Sequence, residues 1–216
     1  MCNKLTFTLL LFVFTTSSLF AQYKFGLQGG VGISNYVGKD FTSTYDPKMG
    51  ITAGIFFERE INLTLSVGAE LNYEQKGTYY EFLPREATIV YVDSRLSYVS
   101  LPIIIKAYFG NKANYYIYTG LTPSYLTNSE LTRHATELGF EISSEPFFPY
   151  KINSWDAAVT AGFGLNFYEI ILDIRYHHGI VNIYEGHNVP NIRNHFISAT
   201  LGFTLYKKKV IKCFNF

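Results

Sequence analysis

Residues 196–206 read Phe-Ile-Ser-Ala-Thr-Leu-Gly-Phe-Thr-Leu-Tyr, a run in which apolar residues alternate with small or polar ones. One side of this segment carries Ile197, Ala199, Leu201, Phe203 and Leu205, and the other carries Ser198, Thr200, Gly202 and Thr204. A strict period of two is typical of a β-strand with one apolar face. Because the run lies near the end of the chain, it predicts a last strand that closes a barrel against the first and leaves no open edge.

Seven other segments alternate in the same way. The eight predicted strands cover residues 23–33, 49–58, 62–74, 96–109, 114–126, 155–167, 170–180 and 196–206. Most have about ten or more residues, which suits a tilted strand that crosses a bilayer. No long apolar run follows residue 21, so hydropathy excludes a helical membrane protein.

The connections between these segments alternate in length. Those near residues 59–61, 110–113 and 168–169 are short, whereas those at 34–48, 77–95, 127–154 and 181–194 are long. Short turns on one side and long loops on the other are typical of outer-membrane barrels, whose long loops face outward. The sequence therefore predicts an all-β fold, an eight-stranded antiparallel up-and-down transmembrane β-barrel in the outer membrane of a Gram-negative bacterium.

The first residues have the features of a secretory signal peptide. Lys4 supplies a positive start, residues 5–14 are apolar, and small residues precede Ala21. A membrane-anchoring helix is the alternative, although this apolar run is short for a span. The predicted organisation is a signal peptide at 1–21, a barrel domain at 22–206 and a short periplasmic tail at 207–216. Cleavage would remove Cys2 and leave Cys213 as the single cysteine, so no internal disulfide is expected.

Charge excludes one class of partner. The 216 residues include 18 Lys and Arg against 17 Asp and Glu, a formal net charge of +1. This balance offers no electrostatic attraction to nucleic acid. The expected partners are outer-membrane lipid and either an envelope protein or an extracellular ligand.

Two prolines lie within neighbouring predicted strands. Pro102 and Pro123 each remove a hydrogen-bond donor from the ladder, and a closed barrel has no edge strand that tolerates the loss. We expect a bulge or a local break at both positions.

Charged residues occupy the inward face of the predicted barrel. They are Lys24, Glu58, Glu70, Glu74, Lys106, Asp156, Asp173, Arg175 and His177. An eight-stranded barrel is only wide enough for side chains, and an unpaired buried charge is costly. We expect an ion-pair network that plugs the lumen, formed by Glu58, Glu70, Lys106, Asp156, Asp173 and Arg175. In it Lys106 and Arg175 are the main cations, with Glu70 and Asp173 as partners; a proton or ion path is the alternative.

Aromatic residues in two of the long loops are candidates for an interaction surface. The longest loop contains Phe147, Phe148 and Tyr150, and Tyr79 and Tyr80 lie in another. An exposed aromatic cluster is typical of a binding site for a protein or glycan. The alternative is that these rings belong to the membrane-interface girdle or pack the loops together.

The sequence shows no pattern of a metal or catalytic site. His134, His177, His178, His187 and His195 have no recognised ligand spacing, so no metal and no cofactor are expected. No Gly-x-Ser-x-Gly motif is present. Ser198 and His177 could both face inward on neighbouring strands, but little else suggests a catalytic pair. We therefore expect no enzymatic activity.

Three motifs resemble one family of barrels. Tyr98-Val-Ser-Leu-Pro-Ile-Ile-Ile-Lys106 is similar to a strand of the Bacteroidetes outer-membrane β-barrel domain, the PorT family. Residues 172–183, Leu-Asp-Ile-Arg-Tyr-His-His-Gly-Ile-Val-Asn-Ile, resemble its penultimate strand, and residues 201–205 resemble its closing strand. The resemblance covers residues 22–206 and implies a barrel without catalytic residues. It also implies a link to protein secretion, the process with which the family's namesake is associated.

Three functions follow from these patterns. The first is a non-enzymatic structural or interaction protein with a plugged polar lumen and working extracellular loops. The second, implied by the resemblance, is an accessory subunit of protein export across the outer membrane. The third is a soluble lipocalin-like carrier of a lipophilic ligand, in which the apolar faces point inward. Alternation of Tyr116 and Tyr118 with Ile117 and Leu121 leaves the polarity of that strand ambiguous.

Overall fold

The computed structural model describes residues 22–38, 45–82, 90–110, 114–135, 151–186, 189 and 191–208. The strands are β1 (Tyr23–Gly38), β2 (Tyr45–Glu60), β3 (Leu65–Phe82), β4 (Val90–Ser100), β5 (Ile103–Phe109), β6 (Tyr115–Ala135), β7 (Trp155–Phe167), β8 (Ile170–Gly179) and β9 (Ile192–Lys208). Among these described residues no helix is long and apolar enough to span a bilayer.

The strands close into a ring of eight antiparallel members. Both β4 and β5 pair with β3 on one side and β6 on the other, so together they form one broken strand of the wall. The last strand, β9, pairs with β1 along its length, with Val31 opposite Ala199. The predicted fold, an eight-stranded antiparallel up-and-down barrel, is confirmed.

The apolar faces of the strands point outward. Val31, Leu121 and Leu201 are each more than half exposed, whereas alternate positions on the same strands are buried. An apolar exterior around a polar interior is the arrangement of a barrel in lipid. The lipocalin-like alternative is therefore wrong, because its apolar side chains would line the interior.

The two ends of the barrel differ in their connections. At the turn end, residues 61–64, 110–114 and 168–169 join neighbouring strands, and at the loop end the connections are 39–44, 83–89, 136–154 and 180–191. Aromatic side chains flank the outer apolar belt at both ends. Phe109 stacks on Tyr115 at the turn end with ring centroids 5.9 Å apart, and Tyr125 meets the edge of Trp155 at 5.1 Å at the loop end. These pairs mark the two membrane–water interfaces, where barrels carry aromatic girdles.

Several strands are longer at the loop end than the sequence predicts. Residues 77–82 of β3, 90–95 of β4 and 127–135 of β6 are paired strand, and we call them the protruding wall. The prediction of loops at 77–95 and 127–154 is wrong for these residues. The outward face of the protruding wall contacts water and not lipid, so polar residues such as Arg95 and Glu130 are exposed there. The alternation of apolar and polar residues that marks the membrane-spanning part of each strand is therefore missing.

One of the two proline predictions is confirmed. The wall strand breaks at Leu101–Pro102, between β4 and β5. At Pro123 the prediction is wrong, because β6 continues without a break. The carbonyl oxygen of Pro123 accepts a hydrogen bond from the Leu101 amide at 2.9 Å. The Pro123 nitrogen, which has no hydrogen to donate, therefore faces the break in the neighbouring strand. One interruption of the ladder therefore accommodates both prolines.

Candidate functional site

The interior of the barrel holds ten buried charged residues. The described residues include the buried cations Lys24, Lys48, Lys76, Lys106 and Arg175 and the buried anions Glu58, Glu70, Glu74, Asp156 and Asp173. With five of each sign and histidine neutral, the formal charge of this set is zero. Nine of these charges are arranged in three clusters along the barrel axis, and the tenth, Lys48, forms an ion pair with Asp93 of β4.

The turn-end cluster is centred on Glu58. Its carboxylate lies 3.0 Å from Lys106 Nζ and 3.3 Å from Lys24 Nζ, and the Tyr108 hydroxyl donates to it at 2.5 Å. Lys24 also lies 3.1 Å from Glu60. The Glu58 carboxylate is thus shared by two buried ammonium groups, and Glu60 is a second partner for one of them. The partner expected for Lys106 was Glu70 or Asp173, but its ion pair is with Glu58.

The central cluster is centred on Arg175. Its guanidinium donates to both oxygens of Glu70, at 2.6 and 2.9 Å, and its Nε donates to the Tyr118 hydroxyl at 2.7 Å. Asp173 lies 3.5 Å from the same Nε and accepts hydrogen bonds from Tyr116 at 2.8 Å and Tyr118 at 2.6 Å. A bidentate arginine–carboxylate pair of this kind is strong and fixes both side chains in one geometry.

Amide side chains complete the surroundings of Glu70. Gln28 donates to its Oε2 at 2.7 Å and Asn72 at 3.0 Å. Because both oxygens of this carboxylate accept hydrogen bonds, direct contacts offset the free-energy cost of removing its charge from water. The network reaches across the lumen, since β1, β3 and β8 each contribute a residue.

The loop-side cluster lies nearer the long connections. Lys76 Nζ is 3.2 Å from Glu74 and 3.8 Å from Asp156, and Ser100 donates to Glu74 at 2.8 Å. His177 is fully buried; its Nδ1 is 3.0 Å from Thr160 Oγ1, and its Nε2 is 3.6 Å from Glu74. Asn194 donates to Asp156 at 3.0 Å.

Lys76 was missed by the sequence analysis because the predicted strand ended two residues earlier. The missing signal is the continued alternation of polar residues at 70, 72, 74, 76 and 78, which β3 places on the inner face.

Two buried tyrosines explain the ambiguous polarity of the strand that is now β6. Tyr116 and Tyr118 face inward and are buried, while Ile117 is exposed on the outer face. Opposite them on β7 stand Gly164 and Gly162, where a Cβ atom would collide with the two tyrosine rings and hydroxyls. The glycines of the inner face therefore make room for aromatic rings whose hydroxyls bind Asp173.

A buried apolar cluster lies inside the barrel at the loop end. Ile183 and Tyr184, from the connection after β8, are buried with Tyr36, Leu96 and Tyr98. We call residues 151–154 and 180–186 the cap. Its two segments are joined by a bridge between Ile152 and Tyr184 and by an ion pair of 2.8 Å between Lys151 and Glu185.

Charged and polar side chains line the interior of the barrel at the turn end. A cavity of about 470 Å³ lies there, and its wall includes Lys24, Tyr108, Asn166 and Lys207. Lys24 and Tyr108 also belong to the turn-end cluster, so the ion pairs form part of the wall of this cavity.

The predicted interaction surface is not brought together within the described residues. Tyr79 and Tyr80 lie in β3 and not in a loop, so their predicted location is wrong; the Tyr79 side chain is exposed. Phe147, Phe148 and Tyr150 lie outside the described residues.

The interior gives no support to a hydrolytic pair. His177 contacts Thr160 and Glu74, whereas Ser198 lies opposite Arg175 in the ladder between β8 and β9. Within the described ranges, no group of three or more His, Cys, Asp or Glu side chains could hold a metal ion.

Comparison with known proteins places this geometry in context. The sequence profile of the family described as "Outer membrane protein beta-barrel domain" matches residues 20–185, which is more than half of the chain. No curated protein matches the chain.

Three solved structures are similar at low sequence identity. Neisserial surface protein A is 18% identical with a TM-score of 0.49, and the match covers 84% of this chain and 97% of that one. OprG from Pseudomonas aeruginosa is 14% identical with a TM-score of 0.44, covering 88% and 96%. Ail, the attachment invasion locus protein of Yersinia pestis, is 12% identical with a TM-score of 0.42, covering 84% and 98%.

Proposed function

Because the chain belongs to the outer membrane protein beta-barrel domain family, we propose that it is a non-enzymatic barrel with a plugged polar lumen, which acts as a structural or interaction protein. It lies in the outer membrane of a Gram-negative bacterium. The observation that carries the proposal is the interior, where four of the five buried cations pair with the five buried anions and the fifth, Lys48, pairs with Asp93. A lumen filled in this way leaves the outer surface and the loops for contact with other molecules.

The working surface in this proposal is the loop end, which faces outward. Its elements are the protruding wall, with Tyr79 exposed on it, and the aromatic loop residues Phe147, Phe148 and Tyr150. Aromatic side chains are the usual anchors of protein and glycan interfaces. The expected partner is an envelope protein or an extracellular ligand.

Replacing the loop aromatics tests this surface. The full chain in lipid nanodiscs is probed with solubilised envelope proteins and with immobilised polysaccharides, alongside a Phe147→Ser/Phe148→Ser/Tyr150→Ser variant. We expect one partner to bind the wild type and to be lost by the variant, while Tyr168→Ser at the exposed turn end serves as the matched control. Absence of any partner, or equal binding by the triple variant, contradicts the proposal.

The orientation of the barrel is part of the same proposal. Short turns of such barrels face the periplasm, so the turn end and the tail at 207–216 are assigned to that side. In intact cells, a membrane-impermeant maleimide is expected to label Glu130→Cys on the protruding wall and to leave Tyr168→Cys at the turn end unlabelled. The reverse labelling pattern contradicts this orientation.

The proposal also covers the signal peptide and barrel ranges of the chain and its resemblance to the PorT family. The signal peptide at 1–21, the barrel at 22–206 and the PorT-like motif of Tyr98–Lys106 support an exported barrel of the Bacteroidetes type. Terminal sequencing of the mature protein is expected to begin at Gln22, and a start at Met1 contradicts cleavage. Deletion of the gene separates the two roles: an export subunit is required for secretion, whereas a stand-alone barrel is not.

A further inference from the structure

Two histidines face each other on the outer surface near the loop end. His178 on β8 lies directly opposite His195 on β9, with ring centroids 4.5 Å apart and an interplanar angle of 67°. Both side chains are at least partly exposed. Directly opposed residues of neighbouring antiparallel strands have their Cβ atoms about 5 Å apart, so their side chains can act on one shared atom.

A single hydroxyl orients both imidazole rings. The Tyr176 hydroxyl oxygen lies 2.7 Å from Nδ1 of His195 and 3.3 Å from Nδ1 of His178. Because both Nδ1 atoms approach this oxygen, neither Nε2 atom is used in the contact. A hydroxyl oxygen has two lone pairs, so it can accept an Nδ1–H bond from each ring while it donates its own proton elsewhere. In that arrangement both Nε2 atoms carry a free lone pair.

We propose that His178 and His195 bind a divalent transition-metal ion through their Nε2 atoms, with Tyr176 as the positioning residue. Imidazole is a preferred ligand of zinc, copper and nickel, whereas magnesium and calcium prefer oxygen. Metal-ligating histidines almost always donate their other N–H to an oxygen, which is the contact that Tyr176 offers to both rings. Two protein ligands leave further positions of the ion to water or to another molecule at the surface.

The neighbouring charges define the character of this site. Arg193 precedes His195 by two residues and therefore faces outward on the same strand, where its positive charge weakens the binding of a cation. His177 cannot contribute, because it points into the barrel and its Nδ1 contacts Thr160. We therefore expect an exchangeable ion on the surface and not a permanent structural metal.

Titration of the full chain with metal salts tests the proposal. The protein is purified in detergent without a histidine tag, and Zn²⁺ is added while the heat is measured. One ion is expected to bind per chain, Mg²⁺ is expected not to bind, and His178→Asn or His195→Asn is expected to abolish that stoichiometric binding. His134 and His187 are unchanged in these variants, so they report any binding elsewhere.

The role of Tyr176 has its own variant and control. Tyr176→Phe keeps the ring but removes the shared oxygen, and we expect roughly tenfold weaker binding. Tyr125→Phe, another outward tyrosine near the loop end, is expected to bind as the wild type does. With Cu²⁺, the electron paramagnetic resonance spectrum is expected to show coupling to two nitrogen atoms.

Several results would overturn the site. They are failure of the wild type to bind Zn²⁺, undiminished binding by a His178→Asn/His195→Asn variant, and a copper spectrum without two coupled nitrogens. Because the three side chains face outward, heat-modifiable mobility on gels can verify that each variant still forms the barrel.

Discussion

At Arg175, one guanidinium joins two carboxylates and a tyrosine hydroxyl inside the barrel. It is almost completely buried, as is its principal partner Glu70, so neither charge is compensated by bulk water. Removing one member of a buried ion pair leaves an uncompensated charge and costs about 3–5 kcal/mol, considerably more than the net value of the pair itself. Single-residue changes at this contact should therefore lower the stability of the barrel strongly.

Glu70→Gln should lower the free energy of unfolding by about 3 kcal/mol, because the guanidinium loses its bidentate anion. Denaturant unfolding in detergent or lipid vesicles measures the change. Glu130→Gln, at an exposed position where the side chain contacts Asn128, is the matched control and should have little effect. A Glu70→Gln/Arg175→Gln variant should be less destabilised than the two single changes added together. Additive effects, or a Glu70→Gln effect as small as that of the control, would argue against this role of the pair.

Gly164→Ala should destabilise the barrel by roughly 1–3 kcal/mol, because the added methyl group collides with the Tyr116 ring and forces it away from Asp173. Gly29→Ala provides the comparison, since the nearest atom to its Cβ position would be the Thr52 oxygen at 3.7 Å. The same unfolding experiment measures both variants. Equal stability of the two variants would contradict the packing described for Tyr116.

At the level of strands, the direction of the side chains could be predicted, but the length of the strands could not. Alternation along Ile197–Leu205 is imposed by the pleat of the backbone, so one correct assignment fixes the whole strand. The protruding wall lacks this signal, because Arg95 and Glu130 face water where Leu121 faces lipid. The break at Pro102 was predictable, since the missing N–H is a property of the residue itself. Continuity at Pro123 was not, because it depends on the neighbouring strand.

Hydrogen exchange tests the protruding wall. Most amides of residues 77–82 and 127–132 should exchange far more slowly than those of a free peptide, because Thr78 pairs with Ser94 and Ser94 with Leu131. Residue-resolved exchange measured by NMR in detergent micelles checks this. Exchange at free-peptide rates in both segments would show that they are loops, as the hydropathy pattern alone suggests.

On the scale of the whole molecule, the interior depends on contacts that only the closed ring creates. Glu70 and Arg175 are 105 residues apart and belong to strands that do not pair with each other. Sequence periodicity predicts that both point inward and makes Glu70 an expected partner of Arg175, but which carboxylate meets which cation depends on the stagger between distant strands, as the pairing of Lys106 with Glu58 shows. The cap is a similar case: the burial of Ile183 and Tyr184 follows from the apolar residues at the barrel mouth and not from any local pattern.

Conductance across a planar lipid bilayer is the most direct test of the proposal that the lumen is plugged. The folded protein, verified by its heat-modifiable mobility, is inserted into the bilayer and the current is recorded under an applied voltage. The paired charges around Arg175 and Glu58, together with the cap, predict no current steps above those of the bare membrane. Stable, discrete steps from the folded wild-type protein would contradict the account, because they would require a continuous aqueous path where these side chains meet.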